Sequence, residues 1–159
     1  MHAQADDWPQ RRRGAEGEGP ASALSERIIG AAIAAHRELG PGLLESVYES
    51  ALEIELRLAG LHVARQVPLP VLYRGQQIGD FRLDLLVERE VVIEVKSVHR
   101  LEDVHEAQIL GYLKLGGYPL GLLINFNCRL LRHGLRRFAN TRLTEPAPLC
   151  ASAPLRPIP

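Results

Sequence analysis

The chain has 159 residues and a mass of 17.6 kDa, room for one domain around one contiguous core, and its 46% hydrophobic content is that of a soluble globular protein. Its 19 basic residues balance 19 acidic ones, so no global field draws in a polyanion or a membrane, and any nucleic-acid binding depends on local patches. Two cysteines, Cys128 and Cys150, exclude a disulfide framework or a tetrathiolate zinc site and fit a reducing cytoplasm. The longest apolar run, Ile28 to Ala35, is too short for the ~30 Å hydrocarbon core of a bilayer, so a soluble, cytoplasmic protein without a membrane partner is expected.

Residues 1–20 are rich in Gly, Arg, Glu and Gln without periodicity and read as a disordered leader. A helix is expected over Ser25 to Leu39, with Ile29, Ala32, Ile33 and His36 on one face, broken by Gly40-Pro41-Gly42. A second helix runs from about Leu43 to Ala59 and stops at Gly60. Its apolar arc collects Leu44, Val47, Tyr48, Ala51, Leu52, Ile54 and Leu58; Glu45 sits at the arc's edge and leans inward, whereas Glu49 and Glu53 point outward. Three strand-like runs follow: His62 to Leu72, an edge strand because of Pro68 and Pro70, then Ile78 to Val87 and Val91 to Val98. Asp103 is placed to cap a helix through Leu115 that ends at Gly116-Gly117. Leu120 to Asn125 reads as a buried strand and Leu130 to Phe138 as a weaker one. Residues 143–159 form a Pro-rich tail. The folded unit is then 21–142, an α/β domain of order ααβββαββ with a mixed sheet flanked by helices.

The chemistry concentrates in Asp84 and in Glu94-Val95-Lys96. Residues two apart in a strand share a face, so Glu94 and Lys96 point one way while Ile93 and Val95 point the other. Asp84 and Arg82 likewise oppose Phe81, Leu83 and Leu85. A three-residue loop centred on Arg89 sets the register that keeps the apolar rows together, with Asp84 opposite Glu94 and Arg82 opposite Lys96. Two carboxylates at that spacing repel unless a proton or cation lies between them, and ligation by a few carboxylate oxygens suits Mg²⁺. An adjoining ammonium can orient a water or offset charge developing on a phosphate.

Asp84…Glu94-x-Lys96 resembles the D…(D/E)xK core of the PD-(D/E)XK nucleases, and Gly42-Leu-Leu-Glu45-Ser-Val-Tyr48 resembles the signature of the GxxExxY family within that superfamily. Gln108 and Tyr112 resemble the QxxxY element of nuclease domains in bacterial recombination helicase–nucleases, and Leu123-Ile124-Asn125-Phe126 the family's late strand. The likeness spans about Ser25 to Phe138, with the motifs in family order. It implies a restriction-endonuclease-like fold and a metal-dependent phosphodiesterase using Mg²⁺ or Mn²⁺ on nucleic acid, DNA above all. By that resemblance Asp84 and Glu94 ligate the metal, the Val95 carbonyl adds an oxygen and Glu45 an outer carboxylate. Lys96 serves the water or the scissile phosphate, and Gln108 and Tyr112 position water, backbone or Lys96.

Arg129, Arg132, Arg136 and Arg137 belong to a basic run that continues to Arg142 and could flank a phosphate backbone. Cutting two strands would favour a homodimer. The competing readings are a module that binds nucleic acid or protein without cutting, and a structural subunit of a larger complex.

Overall fold

The computed structural model describes residues 20–140. The expected leader and the Pro-rich tail lie outside the described residues, except Pro20, and so do Arg142 and Cys150. Helix α1 (Pro20–Leu39) and helix α2 (Glu45–Leu58) are followed by β1 (Val63–Tyr73), β2 (Gln76–Val87) and β3 (Val91–Lys96). Helix α3 (Asp103–Gly116), β4 (Leu120–Asn125), a single 3₁₀ turn (Leu131–His133) and β5 (Leu135–Ala139) complete the order. The expected succession ααβββαββ is therefore present. Among the described residues no helix is long and apolar enough to cross a membrane.

The five strands form one sheet in the order β1-β2-β3-β4-β5. Only β3 and β4, joined through α3, run parallel, so the sheet is mixed. β1 is an edge strand, as its two prolines require. The β2–β3 hairpin has the expected register: Leu85 faces Ile93 and Val87 faces Val91 across the three residues Glu88-Arg89-Glu90.

Two apolar layers hold the sheet. On one side Ile28, Ala32, Tyr48, Leu52 and Leu56 from α1 and α2 meet Leu85, Ile93, Val95, Leu122 and Ile124. On the other, Tyr112 and Leu113 of α3 meet Leu69, Leu83, Leu86 and Val92. α3 lies close to β4 because position 121 is glycine: a Cβ there would come within 2.9 Å of the Ile109 side chain.

Several local expectations need correction. Leu83 and Leu85 do not share a face; each belongs to a different apolar layer. Alternation breaks between them because Gln66 adopts a φ of 54°, and the Gln66–Asp84 pair is missing between the paired Arg65–Leu85 and Val67–Leu83. The β2–β3 ladder ends at Leu85–Ile93, so the expected Arg82–Lys96 pair does not form; Arg82 instead donates to the Gln66 carbonyl at 3.4 Å. On α2 the buried face is Tyr48, Leu52 and Leu56, and it includes Glu49; Leu44, Val47, Ile54 and Leu58 of the expected arc are exposed. The N-cap of α3 is Glu102, whose N–H donates to His105 Nδ1 at 3.0 Å, so His105 closes the helix start and Asp103 is its first residue.

Candidate active site

The site lies where the β2–β3 ladder stops. Past Leu85–Ile93 the backbone pairing lapses, and the Val95 N–H donates instead to Asp84 Oδ2 at 2.8 Å. Asp84 is thereby fixed against the strand that carries Glu94 and Lys96. Glu94, only 2% exposed, accepts a bond from Lys96 Nζ at 2.8 Å through Oε1. Its other oxygen, Oε2, is buried with no hydrogen-bond partner among the described residues. A buried carboxylate oxygen left without a donor costs stability, so this atom is the site's point of stress.

The protonation of the site follows from burial. Desolvation pushes Glu94 up to about 7, helped by the Asp84 charge and opposed by Lys96. Desolvation also raises Asp84 to about 6, against the Val95 hydrogen bond and with Glu49 and Glu45 adding to the rise. Burial works against the Lys96 charge, but the Glu94 bond and the surrounding carboxylates outweigh it and hold its pKa above the ordinary value. Lys96 is therefore an ammonium, suited to donate and to offset negative charge rather than to take a proton.

Glu45 reaches the site from the first turn of α2. Its Oε1 accepts the Ser97 N–H at 3.1 Å, immediately after β3, and the Ser97 hydroxyl donates to the Leu43 carbonyl at 2.6 Å. The spacing Gly42, Glu45, Tyr48 has a physical reason. Gly42 has a φ of +97°, a conformation costly for any other residue. Tyr48, one turn below Glu45, donates its hydroxyl to the Gly40 carbonyl at 2.5 Å and accepts the Leu43 N–H at 3.2 Å. Its ring stacks on Phe126 at 4.5 Å. Tyr48 thus anchors the loop that delivers Glu45.

On α3, Gln108 Nε2 donates to the Tyr112 hydroxyl at 2.6 Å. Burial, with Glu94 also contributing, keeps the Tyr112 phenol above its usual pKa, so it stays neutral. Asn125, at the end of β4, has its side chain buried and locks the segment after Lys96: it accepts from Val98 N–H at 3.0 Å and donates to Val98 O at 2.8 Å.

A family model of the PD-(D/E)XK nuclease superfamily matches residues 22–138. The chain belongs to the PD-(D/E)XK nuclease superfamily. Its mixed five-stranded sheet with helices on both faces is the restriction-endonuclease-like fold expected of that superfamily. Neither the curated proteins nor the solved structures gave a match.

The arginines are spread more widely than their sequence spacing suggests. All four are exposed. Arg136 and Arg137 are neighbours on edge strand β5 and point to opposite faces, opposite Leu123 and Leu122. Arg129 and Arg132 line an open hollow with His36, Arg37, Gly40 and Pro41. That hollow borders the loop leading to Glu45. Arg37 is absent from the sequence reading because its neighbourhood exists only once α1 meets the β4–β5 connection.

Glu49 is the other residue missed. It is buried and accepts bonds from Arg65 Nε at 3.0 Å and Gln66 Nε2 at 2.9 Å, beside Asp84. The available signal was Glu49's position four residues after Glu45 and three before Leu52, which puts it on the face those residues share.

Proposed function

We propose that this nuclease-superfamily chain hydrolyses phosphodiester bonds of nucleic acid, DNA in first place, with Mg²⁺ or Mn²⁺, and that it belongs to the superfamily's GxxExxY branch. The observation that carries the reading is half-buried Asp84 held beside buried Glu94, one of whose oxygens is unpartnered among the described residues, with desolvation pushing both carboxyls up, to about 6 and about 7. Such a pair is destabilising on its own and becomes favourable once a cation sits on it.

The donor set suits a hard cation. Asp84, Glu94 and the Val95 carbonyl would hold it, all through oxygen, and Mg²⁺ commonly takes one or two carboxylates and leaves its other positions to water. Among the described residues no group of three or more His, Cys, Asp or Glu is arranged to hold a metal ion, and Glu45 already accepts the Ser97 N–H. Glu45 therefore acts as an outer carboxylate. A divalent cation bound there supplies Lewis-acid activation of the phosphodiester and of the attacking water.

The remaining steps belong to the chain's own side chains. Lys96 keeps its proton and donates toward the negative charge that grows on the phosphate oxygens. Tyr112 and Gln108 present a neutral donor pair that orients what lies beside Glu94. Arg129 and Arg132, with Arg37, hold flanking phosphates, an interaction that weakens as salt rises. Cutting of two strands would favour a homodimer.

The test is cleavage of single-stranded and supercoiled DNA with Mg²⁺, Mn²⁺ or chelator. The expected result is metal-dependent cleavage that drops at least about 100-fold in Lys96→Ala and in Glu94→Ala with the fold intact. Cleavage undiminished in both variants discards the site. Metal-independent binding without cleavage establishes the non-catalytic module instead.

A further inference from the structure

Beside the carboxylates, β2 and α3 enclose an open groove of about 440 Å³ lined by Phe81, Val104, Ala107, Gln108, Gly111 and Tyr112. Phe81 is 44% exposed and its ring lies 5.4 Å from that of Tyr112, tilted by 54°. Ala107 and Gly111 are one turn apart, so together they make a floor without long side chains. A Cβ at Gly111 would meet nothing within 4 Å. Gln108 adds an amide to the lining.

The groove approaches the candidate active site at Tyr112, which feels the charges of Glu94, Lys96 and Asp84. Gln108 and Tyr112 line it and bond each other at 2.6 Å. Val104 belongs both to this groove and to a second hollow that starts at Arg100. Arg100 stands on the short segment between Lys96 and α3, with its side chain 79% exposed and only loosely paired with Glu102 at 3.8 Å. An open, mostly apolar groove therefore has Tyr112 on its side toward the carboxylates and shares Val104 with the hollow that begins at the exposed Arg100.

We propose that this groove receives an unstacked nucleobase, next to the phosphate that Lys96 and a cation on Asp84 and Glu94 would hold, so that the substrate is single-stranded or frayed nucleic acid. The inference rests on the nuclease reading above and adds the substrate class to it. A nucleobase fits the chemistry: its flat π-face suits the Phe81 ring and the small-residue floor, and its polar edge suits the Gln108 amide. Arg100 complements a neighbouring phosphate. A base inside a duplex is stacked on both faces and can enter only after being extracted, so paired ends must open first. Stacking on an aromatic ring is tolerant of base identity, so little sequence preference is expected.

The experiment uses the full chain with Ca²⁺ in place of Mg²⁺ and fluorescently labelled oligonucleotides: a single strand, the same strand with consecutive abasic positions, and a blunt duplex. Wild type should bind the normal strand about 10-fold more tightly than the abasic strand or the duplex. Phe81→Ala, which removes the ring, and Gly111→Leu, which fills the groove, should each erase that preference. Their Mn²⁺ binding and thermal midpoint should remain at wild-type values. Equal affinity for normal and abasic strands, or a preference for duplex, overturns the proposal. So does a wild-type preference that survives in both variants. If DNA is cut yet Phe81→Ala and Gly111→Leu change nothing, this inference fails and the nuclease reading stands. If no oligonucleotide is bound or cut, both fail. Displacement of the normal strand by an apolar peptide that wild type binds more tightly would assign the groove to a protein partner instead.

Discussion

Asp84→Asn should stabilise the metal-free protein at alkaline pH. Burial raises the Asp84 carboxyl from 3.8 to about 6, and Glu94 from 4.5 to about 7. A group that holds its proton more tightly in the folded state stabilises the fold below its unfolded pKa, and that benefit is lost as pH rises through the folded pKa. The metal-free protein should therefore lose stability between about pH 4 and pH 7. For Asp84 the shift corresponds to about 3 kcal/mol, which partial exposure reduces to about 1–2 kcal/mol. The two shifts share one mutual repulsion and do not add. Asparagine keeps an oxygen for the Val95 N–H and drops the charge. In chelator at pH 8 the variant should exceed wild type by about 1–2 kcal/mol in urea unfolding, and the gap should close toward pH 4. Saturating Mg²⁺ should reverse the order by stabilising only wild type. A variant no more stable at pH 8, or a difference independent of pH, would mean that the Asp84 charge is not disfavoured by desolvation beside Glu94.

Tyr48→Phe removes the hydroxyl that joins Gly40 O to Leu43 N; it should cost about 1–2 kcal/mol in chemical unfolding and lower cleavage through a mispositioned Glu45. Asn125→Ala strands the Val98 N–H and C=O and should cost about 2–3 kcal/mol, with faster hydrogen exchange in the segment after Lys96. Gly121→Ala drives a methyl into Ile109 and should destabilise by about 1–3 kcal/mol, an effect that Ile109→Val partly rescues. Glu49→Ala leaves Arg65 half-buried without its closest carboxylate and should lower stability by about 2 kcal/mol.

The sheet was legible because the determining signals are local. Apolar alternation and a three-residue loop fix the register that brings Asp84 to the β3 strand, and two prolines mark the edge strand. Glu45 was readable from its place beside Tyr48 on α2. Glu49 lies on the same buried face, but a carboxylate there makes sense only once Arg65 and Gln66 have been folded against it. The break at Asp84 depends on a glutamine in the left-handed region, for which sequence carries no signal of the kind a glycine gives. The α2 apolar arc was read too widely, since α1 and the sheet cover Tyr48, Leu52 and Leu56 and leave Leu44, Ile54 and Leu58 outside. Phe81 and Arg37 gain meaning only from neighbours distant in the chain.

Mn²⁺ titration followed by electron paramagnetic resonance addresses the metal centre without reference to any substrate. Wild type should bind Mn²⁺ in competition with Mg²⁺ and release protons near neutral pH, as Glu94 gives up the proton that burial has retained. Asp84→Asn and Glu94→Gln should each abolish that binding. Mn²⁺ bound with wild-type affinity in both variants would contradict the assignment of these two carboxylates as the cation's ligands.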